Sequence, residues 1–287
     1  MKTSLHFAVL VMALAILPSP AAVPALAGTP PAAGYLELPA SAHADGAAVV
    51  TTRALLAGTQ MRSFTYRYDM RNRIALWVAY PLNRGLIGTG SRGEEWTPDP
   101  ALPERAQPVL YRGFRPTDKR YDRGHQIPSA DRLDPEANAQ TFRFTNATPQ
   151  LHDFNGGIWA ELEKQVRRWC YLSDTLYVVT GAVPGTDSMP DNAGNPVNVP
   201  KAYYKAVLRL HHWKNGQAHW QACAVYIPHR EGYPEKGNDF RQWAMSVYDL
   251  GRLVGESFFP GLDRILGKDN AAAVRKANPG SDPWWWR

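Results

Sequence analysis

A histidine, an arginine and an aspartate occur together in the segment Tyr121-Asp122-Arg123-Gly124-His125. Farther along the chain come an asparagine, a glutamate and an arginine, at Asn155, Glu163 and Arg167. A neutral imidazole accepts a proton from water near pH 7, and arginine stabilises negative charge on a phosphate. Amide and carboxylate oxygens suit Mg²⁺, which keeps several of its waters when a protein binds it. Together these groups predict phosphodiester hydrolysis, with a base, cations and a site for a hard metal.

The order of these residues resembles the DNA/RNA non-specific endonuclease family of the ββα-metal (His-Me finger) superfamily, to which endonuclease G is related. Residues 122–125 match the Asp-Arg-Gly-His box of that family, and residues 146–150 loosely match its Asn-x-x-Pro-Gln segment. Asn155 and Glu163 match an asparagine that opens a helix and a glutamate eight residues later. Further matches lie at residues 177–181, 199–205 and 258–260, so the resemblance covers residues 60–265.

The resemblance implies how the reaction centre is built. His125 is expected to be the general base that activates water, and Asn146 to hold the active-site backbone or the base in place. Asn155 is expected to be the single direct protein ligand of Mg²⁺, and Glu163 to contact the metal through water. Mn²⁺ suits the same oxygen ligands. The family implies that both DNA and RNA are cut without strong sequence preference, and that the products have 5′-phosphate ends.

The resemblance also implies that arginines meet the phosphate. Arg123 is expected beside the metal and the phosphate, and Arg167 matches a phosphate-contacting arginine. Arg92 matches an arginine that stabilises the pentavalent phosphorus. The spacing around Arg92 departs from the family pattern, so Arg84 and Arg112 stay open as alternatives for that role.

Several of these residues also have structural interpretations. Asn155 has the residue type of a helix N-cap, which is compatible with metal binding. Glu163 and Arg167 are four residues apart and would form an ordinary pair on a helix surface. Asn146-Ala147-Thr148 fits the glycosylation pattern, which competes with an active-site role. The adjacent pair His211-His212 is not expected to bind one metal, because neighbouring strand residues face opposite ways.

The pattern of apolar residues predicts a single α+β domain: a central antiparallel or mixed sheet flanked by helices, with a ββα-metal finger as its active site. A helix is expected over residues 156–169, because Ile158, Leu162, Val166 and Trp169 form one apolar stripe. A second helix is expected over 244–256, and long loops over 83–120 and 184–200. Strands are expected at residues 74–80 (closed by Pro81), 176–180 (ended by Gly181), 202–210 and 220–227.

The chain ends differ in composition from this domain. Residues 1–27 have a charged start, an apolar run and a final Ala25-Leu26-Ala27, which predicts a secretory signal peptide cut after Ala27. Residues 28–60, rich in Ala, Pro and Gly, are expected to be a flexible leader, and 61–268 the endonuclease domain. Residues 269–287 are expected to be a tail whose Trp284-Trp285-Trp286 is mobile.

These features predict an exported protein, periplasmic or secreted, with no stable membrane association after cleavage of the signal peptide. Its formal net charge of +6 suits DNA and RNA as partners. The sequence leaves open a disulfide between Cys170 and Cys223, homodimerisation and any protein inhibitor. Two other functions are also left open: an inactive nucleic-acid-binding module of the same fold, and a phosphodiesterase of small diesters.

Overall fold

The structure is a computed structural model that describes residues 35–41, 47–110 and 121–287. Within these ranges the chain forms the following strands: β1 (Ala40–Ser41), β2 (Ala48–Leu56), β3 (Thr59–Asp69), β4 (Ile74–Leu82), β5 (Tyr121–His125), β6 (Ala147–Leu151), β7 (Thr175–Val183), β8 (Ser188–Pro190), β9 (Pro196–Asn198), β10 (Ala202–His212), β11 (Ala218–Pro228), β12 (Ala244–Met245) and β13 (Glu256–Ser257). The α-helices are α1 (Arg84–Ile87), α2 (Pro135–Thr141), α3 (His152–Phe154), α4 (Ala160–Tyr171), α5 (Val247–Val254), α6 (Leu262–Leu266) and α7 (Lys268–Lys276).

The central sheet has seven strands in the order β12-β11-β10-β7-β4-β3-β2, and every neighbouring pair is antiparallel. Alternate residues of a strand point to opposite faces. In β10, Tyr203 and Val207 belong to the core on one face, whereas Tyr204, Ala206 and Leu208 belong to the core on the other. Both faces are therefore covered, and the domain has three layers.

The layer on one face contains α5, α6 and α7, which contribute Leu250, Leu262 and Ala271 to its core. The layer on the opposite face contains α4, whose Leu162 and Val166 pack on the sheet. A separate hairpin of β5 and β6 precedes α3 and α4 in the chain and pairs antiparallel. Two strands followed by a helix form the predicted ββα finger, and the predicted α+β fold class is confirmed.

Most of the predicted strands are present, with some changes in length. β4 runs through Pro81, and β10 and β11 include the two strands predicted on either side of residues 214–217. β7 continues past Gly181 to Val183, so the prediction that Gly181 ends this strand was wrong. A Cβ atom at Gly181 would overlap the Tyr204 side chain, so the glycine permits close packing inside the sheet instead of a turn.

The predicted loops contain more structure than expected. Residues 83–110 include α1 and bury Trp96 and Leu110, while residues 111–120 lie outside the described ranges. The loop predicted at 184–200 contains the short hairpin of β8 and β9. The helix predicted over 244–256 is limited to α5, which begins after its N-cap Ser246 and ends at Gly255 in a left-handed conformation.

Parts of the predicted leader and tail are folded. The signal peptide and residues 28–34 and 42–46 lie outside the described ranges, but β2 forms an edge of the central sheet. Its many Ala and Thr residues hide the strand pattern, because only Ala54 and Leu56 are fully buried. In the tail, α7 packs on the sheet and Trp285 is 1% exposed, so the prediction of a mobile tail was wrong.

Among the described residues, no helix is long and apolar enough to cross a membrane. Cys170 and Cys223 are both buried, and both are free thiols. Burial raises the pKa of Cys170 to about 12, and it raises the pKa of Cys223 as well. The two cysteines therefore act as small apolar residues of the core.

Candidate active site

The strand β5 places the box residues opposite β6. In this pairing Gly124 lies opposite Thr148, and His125 opposite Ala147. Gly124 is buried against the side chain of Gln150, which leaves no room for a Cβ atom. The glycine of the box is therefore required by the packing of the hairpin, and it lets the strand bring His125 close to its neighbours.

His125 lies in an aromatic pocket. Its ring centroid is 4.7 Å from that of Trp96 and 4.9 Å from that of Phe142, and the ring is half-buried. Burial, together with the positive charges of Arg92 and Arg123, lowers the pKa of His125 to about 3. The imidazole is thus neutral at pH 7. Its Nε2 atom is buried and has no hydrogen-bond partner in the described part of the chain, so in the tautomer with the proton on Nδ1 this nitrogen is an unsatisfied proton acceptor.

Two arginines flank this pocket. The guanidinium of Arg123 lies 5.1 Å from the Trp96 ring centroid, and that of Arg92 lies 5.6 Å from the Phe142 ring centroid. Arg123 also donates a 3.0 Å hydrogen bond to the Leu110 carbonyl, whereas the Arg92 side chain is exposed. The arrangement places two cations against the two aromatic rings that surround His125.

Arg84 and Arg112 were the alternatives to Arg92 as the arginine that stabilises the pentavalent phosphorus. Arg84 donates a 2.6 Å hydrogen bond to the carbonyl of Tyr171, at the end of α4 that is distant from Asn155. Arg112 lies outside the described ranges. The charge of Arg92 lowers the pKa of both His125 and Glu163, so between Arg92 and Arg84 the structure favours Arg92 as the one near the site.

Asn146 lies behind His125 and is 1% exposed. Its Oδ1 accepts a 3.0 Å hydrogen bond from the Ile127 amide, and its Nδ2 donates to the carbonyls of Ile127 and Thr141. The Asn146 carbonyl also accepts from the amide of Gln126. These bonds fix the backbone directly after His125, and in the folded protein they occupy the amide that glycosylation would need.

The helix that follows the hairpin begins earlier than predicted. α3 starts at His152 and continues through a π-helical turn, Asn155–Trp159, into α4. Asn155 has helical backbone angles, so the prediction that it is an N-cap was wrong. Gly157 in this turn has non-helical backbone angles, φ −96° and ψ −111°, so the chain is kinked between α3 and α4.

The side chain of Asn155 is fixed by the box. Its Nδ2 donates a 3.0 Å hydrogen bond to Oδ2 of Asp122, which also lies 2.9 Å from Nδ1 of His152. The Oδ1 atom of Asn155 has no hydrogen-bond partner among the described residues. An amide held by its nitrogen presents its oxygen to another ligand, and such an oxygen suits a hard cation.

Glu163 and Arg167 are on one side of α4, as predicted. Arg167 donates a 2.9 Å hydrogen bond to Oδ1 of Asp131, whose Oδ2 accepts a 2.9 Å hydrogen bond from the Tyr80 hydroxyl. Arg167 is therefore paired within the protein through one of its nitrogens. Burial raises the pKa of Glu163 to about 7, although the positive charges of Lys205 and Arg167 act in the opposite direction.

The donor set fits a divalent cation that keeps most of its waters. In the described ranges, no three His, Cys, Asp or Glu side chains converge on one point. The oxygens that remain are Oδ1 of Asn155 and the Glu163 carboxylate, which has no hydrogen bond or ion pair in the described ranges. An amide oxygen that could bind a cation directly, with a carboxylate that could contact its waters, would suit the water-rich coordination of Mg²⁺.

A family model described as DNA/RNA non-specific endonuclease matches residues 48–265. The chain belongs to this family. It is 35% identical over 203 residues to a nuclease of Nostoc sp., covering 68% of this chain and 70% of that protein. It is 32% identical over 211 residues to mitochondrial endonuclease G of Bos taurus, covering 68% and 66%.

The fold is also similar to that in a solved structure, the crystal structure of the EndoG/EndoGI complex, which describes the mechanism of EndoG inhibition. The TM-score is 0.56 at 21% identity, covering 70% of this chain and 84% of that one. Membership of the DNA/RNA non-specific endonuclease family makes the protein a nuclease, which is a hydrolase, and nucleic acids are its substrates. The family is metal-dependent.

Sequence reasoning missed three residues of this endonuclease site. Asp122 is the first residue of the box, and Asp131 lies six residues after His125. No role was predicted for either. Lys205 lies 80 positions after His125 in the chain. The available signal for Lys205 was a lysine between Tyr204 and Ala206 in the middle of a predicted strand, because lysine is almost never fully buried unless it is paired.

Proposed function

We propose that the protein is an exported, Mg²⁺-dependent endonuclease that hydrolyses DNA and RNA without strong sequence preference and leaves 5′-phosphate ends. The main support is the unpartnered Nε2 of a neutral His125, which lies on the same hairpin as the aspartate that fixes Asn155. This arrangement supports a role for His125 as the base and for Asn155 as the metal ligand within one ββα finger. Mn²⁺ is expected to replace Mg²⁺ because it prefers the same oxygen ligands.

In the proposed reaction, His125 takes a proton from the attacking water through Nε2. Asn155 would bind the cation directly and Glu163 would orient its waters. When bound, Mg²⁺ would stabilise the leaving 3′ oxygen as a Lewis acid. Arg92 and Arg123 would stabilise the negative charge that develops on the phosphate. By resemblance Arg167 is a further candidate for a phosphate contact, although one of its nitrogens is engaged by Asp131.

Broad substrate use follows from contacts to the phosphate backbone. Arginines that contact phosphates do not distinguish between bases, so one site can bind both DNA and RNA. Export is proposed from the N-terminal segment: N-terminal sequencing of the exported protein should begin at Gly28. By resemblance, a homodimer is also proposed, and light scattering of the purified protein tests it.

The activity is tested with wild type and His125→Ala, each incubated with supercoiled plasmid and with RNA, in Mg²⁺ or in EDTA. Wild type should degrade both substrates only with the metal, and His125→Ala should be slower by at least about 10²-fold, as for loss of a general base. Binding to DNA without cleavage in Mg²⁺ or Mn²⁺ would instead identify an inactive binding module. Cleavage of a small diester in preference to DNA would identify a phosphodiesterase.

A further inference from the structure

A buried cation lies in the sheet beneath the helix of the site. Lys205 is 1% exposed, and its Nζ donates a 2.7 Å hydrogen bond to Oγ1 of Thr180. The same Nζ lies 4.9 Å from the ring centroid of Trp159. An ammonium group has three hydrogens, and within the described residues no second oxygen accepts one of them.

The strand register directs Lys205 toward α4. It lies between Tyr203 and Val207, which contribute to the core on the α4 side of the sheet. Trp159, over which the ammonium is placed, precedes Glu163 by four residues and so lies on the same side of the helix. The lysine therefore approaches the Glu163 side of α4 from below.

Of the nearby carboxylates, that of Glu163 is the one whose position the Lys205 ammonium can affect most by electrostatic attraction. Both oxygens of Asp131 are engaged, by Arg167 and by the Tyr80 hydroxyl. Glu163 has no hydrogen bond in the described ranges and makes no direct ion pair with Lys205. Even so, among charged groups Lys205 has the largest lowering effect on the pKa of Glu163. In turn, Glu163 has the largest raising effect on the pKa of Lys205.

A buried ammonium costs free energy unless an opposite charge compensates it, and an apolar side chain would often stabilise the same position better. A functional reason for the lysine is therefore expected. We propose that Lys205 is a positioning residue, whose ammonium attracts the Glu163 carboxylate from the sheet side and sets its orientation in the active site. The proposal rests on the proposed role of Glu163 in the nuclease reaction.

A double-mutant cycle tests the proposal, because a residue that acts through Glu163 loses its effect when Glu163 is neutral. The full-length chain is compared with Lys205→Met, Glu163→Gln and the double variant, and kcat and KM are measured for Mg²⁺-dependent cleavage of a DNA duplex. Lys205→Met should lower kcat about 10- to 100-fold, as for loss of a group that orients a metal-site residue, with KM within about threefold. In the Glu163→Gln background the further loss should be below about threefold.

Lys214→Met is the matched control, because Lys214 is an exposed lysine in the turn of the same hairpin. Its kcat should equal that of wild type. Equal losses from Lys205→Met in both backgrounds would mean that the lysine only supports the fold, and would overturn the proposal. An unchanged kcat in Lys205→Met would also overturn it.

Thr180→Val covers the case in which Lys205→Met does not fold, since it keeps the charge and removes the hydroxyl that holds Nζ. Loss of this one hydrogen bond should lower kcat about fivefold in the native background and leave it unchanged with Glu163→Gln. An equal loss in both backgrounds would overturn the proposal. If wild type itself does not cleave DNA, the proposed function fails as well. If wild type is active but the effects of Lys205→Met and Glu163→Gln are additive, only the proposed role of Lys205 is refuted.

Discussion

The side-chain amide of Asn155 donates a 3.0 Å hydrogen bond to Oδ2 of Asp122, which joins the first residue of the box to the helix. Nδ1 of His152 lies 2.9 Å from the same oxygen. With its nitrogen engaged, Asn155 presents its Oδ1 away from Asp122. The aspartate of the box thus has a defined task, which is to orient the proposed metal ligand.

Removal of the Asp122 carboxylate should therefore weaken metal binding. Asp122→Ala should raise the Mg²⁺ concentration for half-maximal plasmid cleavage about 10- to 100-fold, because partners that orient a metal ligand usually have effects of this size. A Mg²⁺ titration of initial rates measures the effect. Electron paramagnetic resonance of free Mn²⁺ gives the same comparison without relying on activity.

The chain offers a matched control for this substitution. Asp174 lies 2.9 Å from Nδ1 of an exposed histidine, His212, in the same way that Asp122 pairs with His152. Asp174→Ala should leave the Mg²⁺ requirement unchanged. Equal metal requirements in Asp122→Ala and wild type would contradict the orienting role.

The pKa of His125 predicts how acid affects the stability of the protein. Because the folded pKa is about 3 and the ordinary value is 6.5, the unfolded chain binds the proton more readily between these limits. The stability that neutral His125 contributes is complete above about pH 6.5 and is lost as the pH falls toward 3. Urea unfolding in EDTA from pH 7 to pH 4 should therefore show a steeper loss for wild type than for His125→Phe, by up to about 1.4 kcal/mol per pH unit.

The comparison of wild type with His125→Phe separates the effect of His125 on stability from that of Glu163, which has the opposite dependence on pH. Glu163 has a raised pKa, so its contribution makes the protein less stable as the pH rises from about 4.5 toward 7. That contribution is present in both proteins and cancels in the difference. If the two curves run parallel, His125 titrates equally in the folded and unfolded states and is not held neutral by its surroundings.

The exposed side chain of Arg92 predicts a salt effect on activity. Removing one cation that binds a phosphate should make the slope of log(kcat/KM) against log[salt] shallower by about 0.9 for duplex DNA, so Arg92→Gln should show that change and a lower rate. The measurement is duplex cleavage between about 50 and 200 mM salt, the range over which phosphate-binding cations have large effects. Arg252→Gln is the control, because Arg252 is exposed on α5, across the sheet from His125. An unchanged slope in Arg92→Gln would exclude a phosphate-binding role for this arginine.

The residue types and their order were sufficient to predict the fold class, and they also indicate His125, Asn155 and Glu163 as candidate site residues. The predicted helix included Gly156 and Gly157, but the helical turn at residues 152–154 and the kink at Gly157 were not predictable, because no local pattern of apolar residues marks them. The pairs that fix the site join distant segments, as between Tyr80 and Asp131. Such pairs leave no trace in local periodicity.

The C-terminal residues illustrate the same limit, and they provide the last prediction. Trp285 is 1% exposed; its ring lies 4.9 Å from that of Trp169, and its carbonyl accepts a 2.9 Å hydrogen bond from Trp169 Nε1. Trp169 belongs to α4, so the tail supports the helix of the site. Trp285→Ala should lower the free energy of unfolding by about 3–5 kcal/mol in urea, as for other buried tryptophans, whereas Trp213→Ala, at a residue 51% exposed, should change it by less than about 0.5 kcal/mol. Equal stabilities of Trp285→Ala and wild type would mean that the tail is not docked in solution.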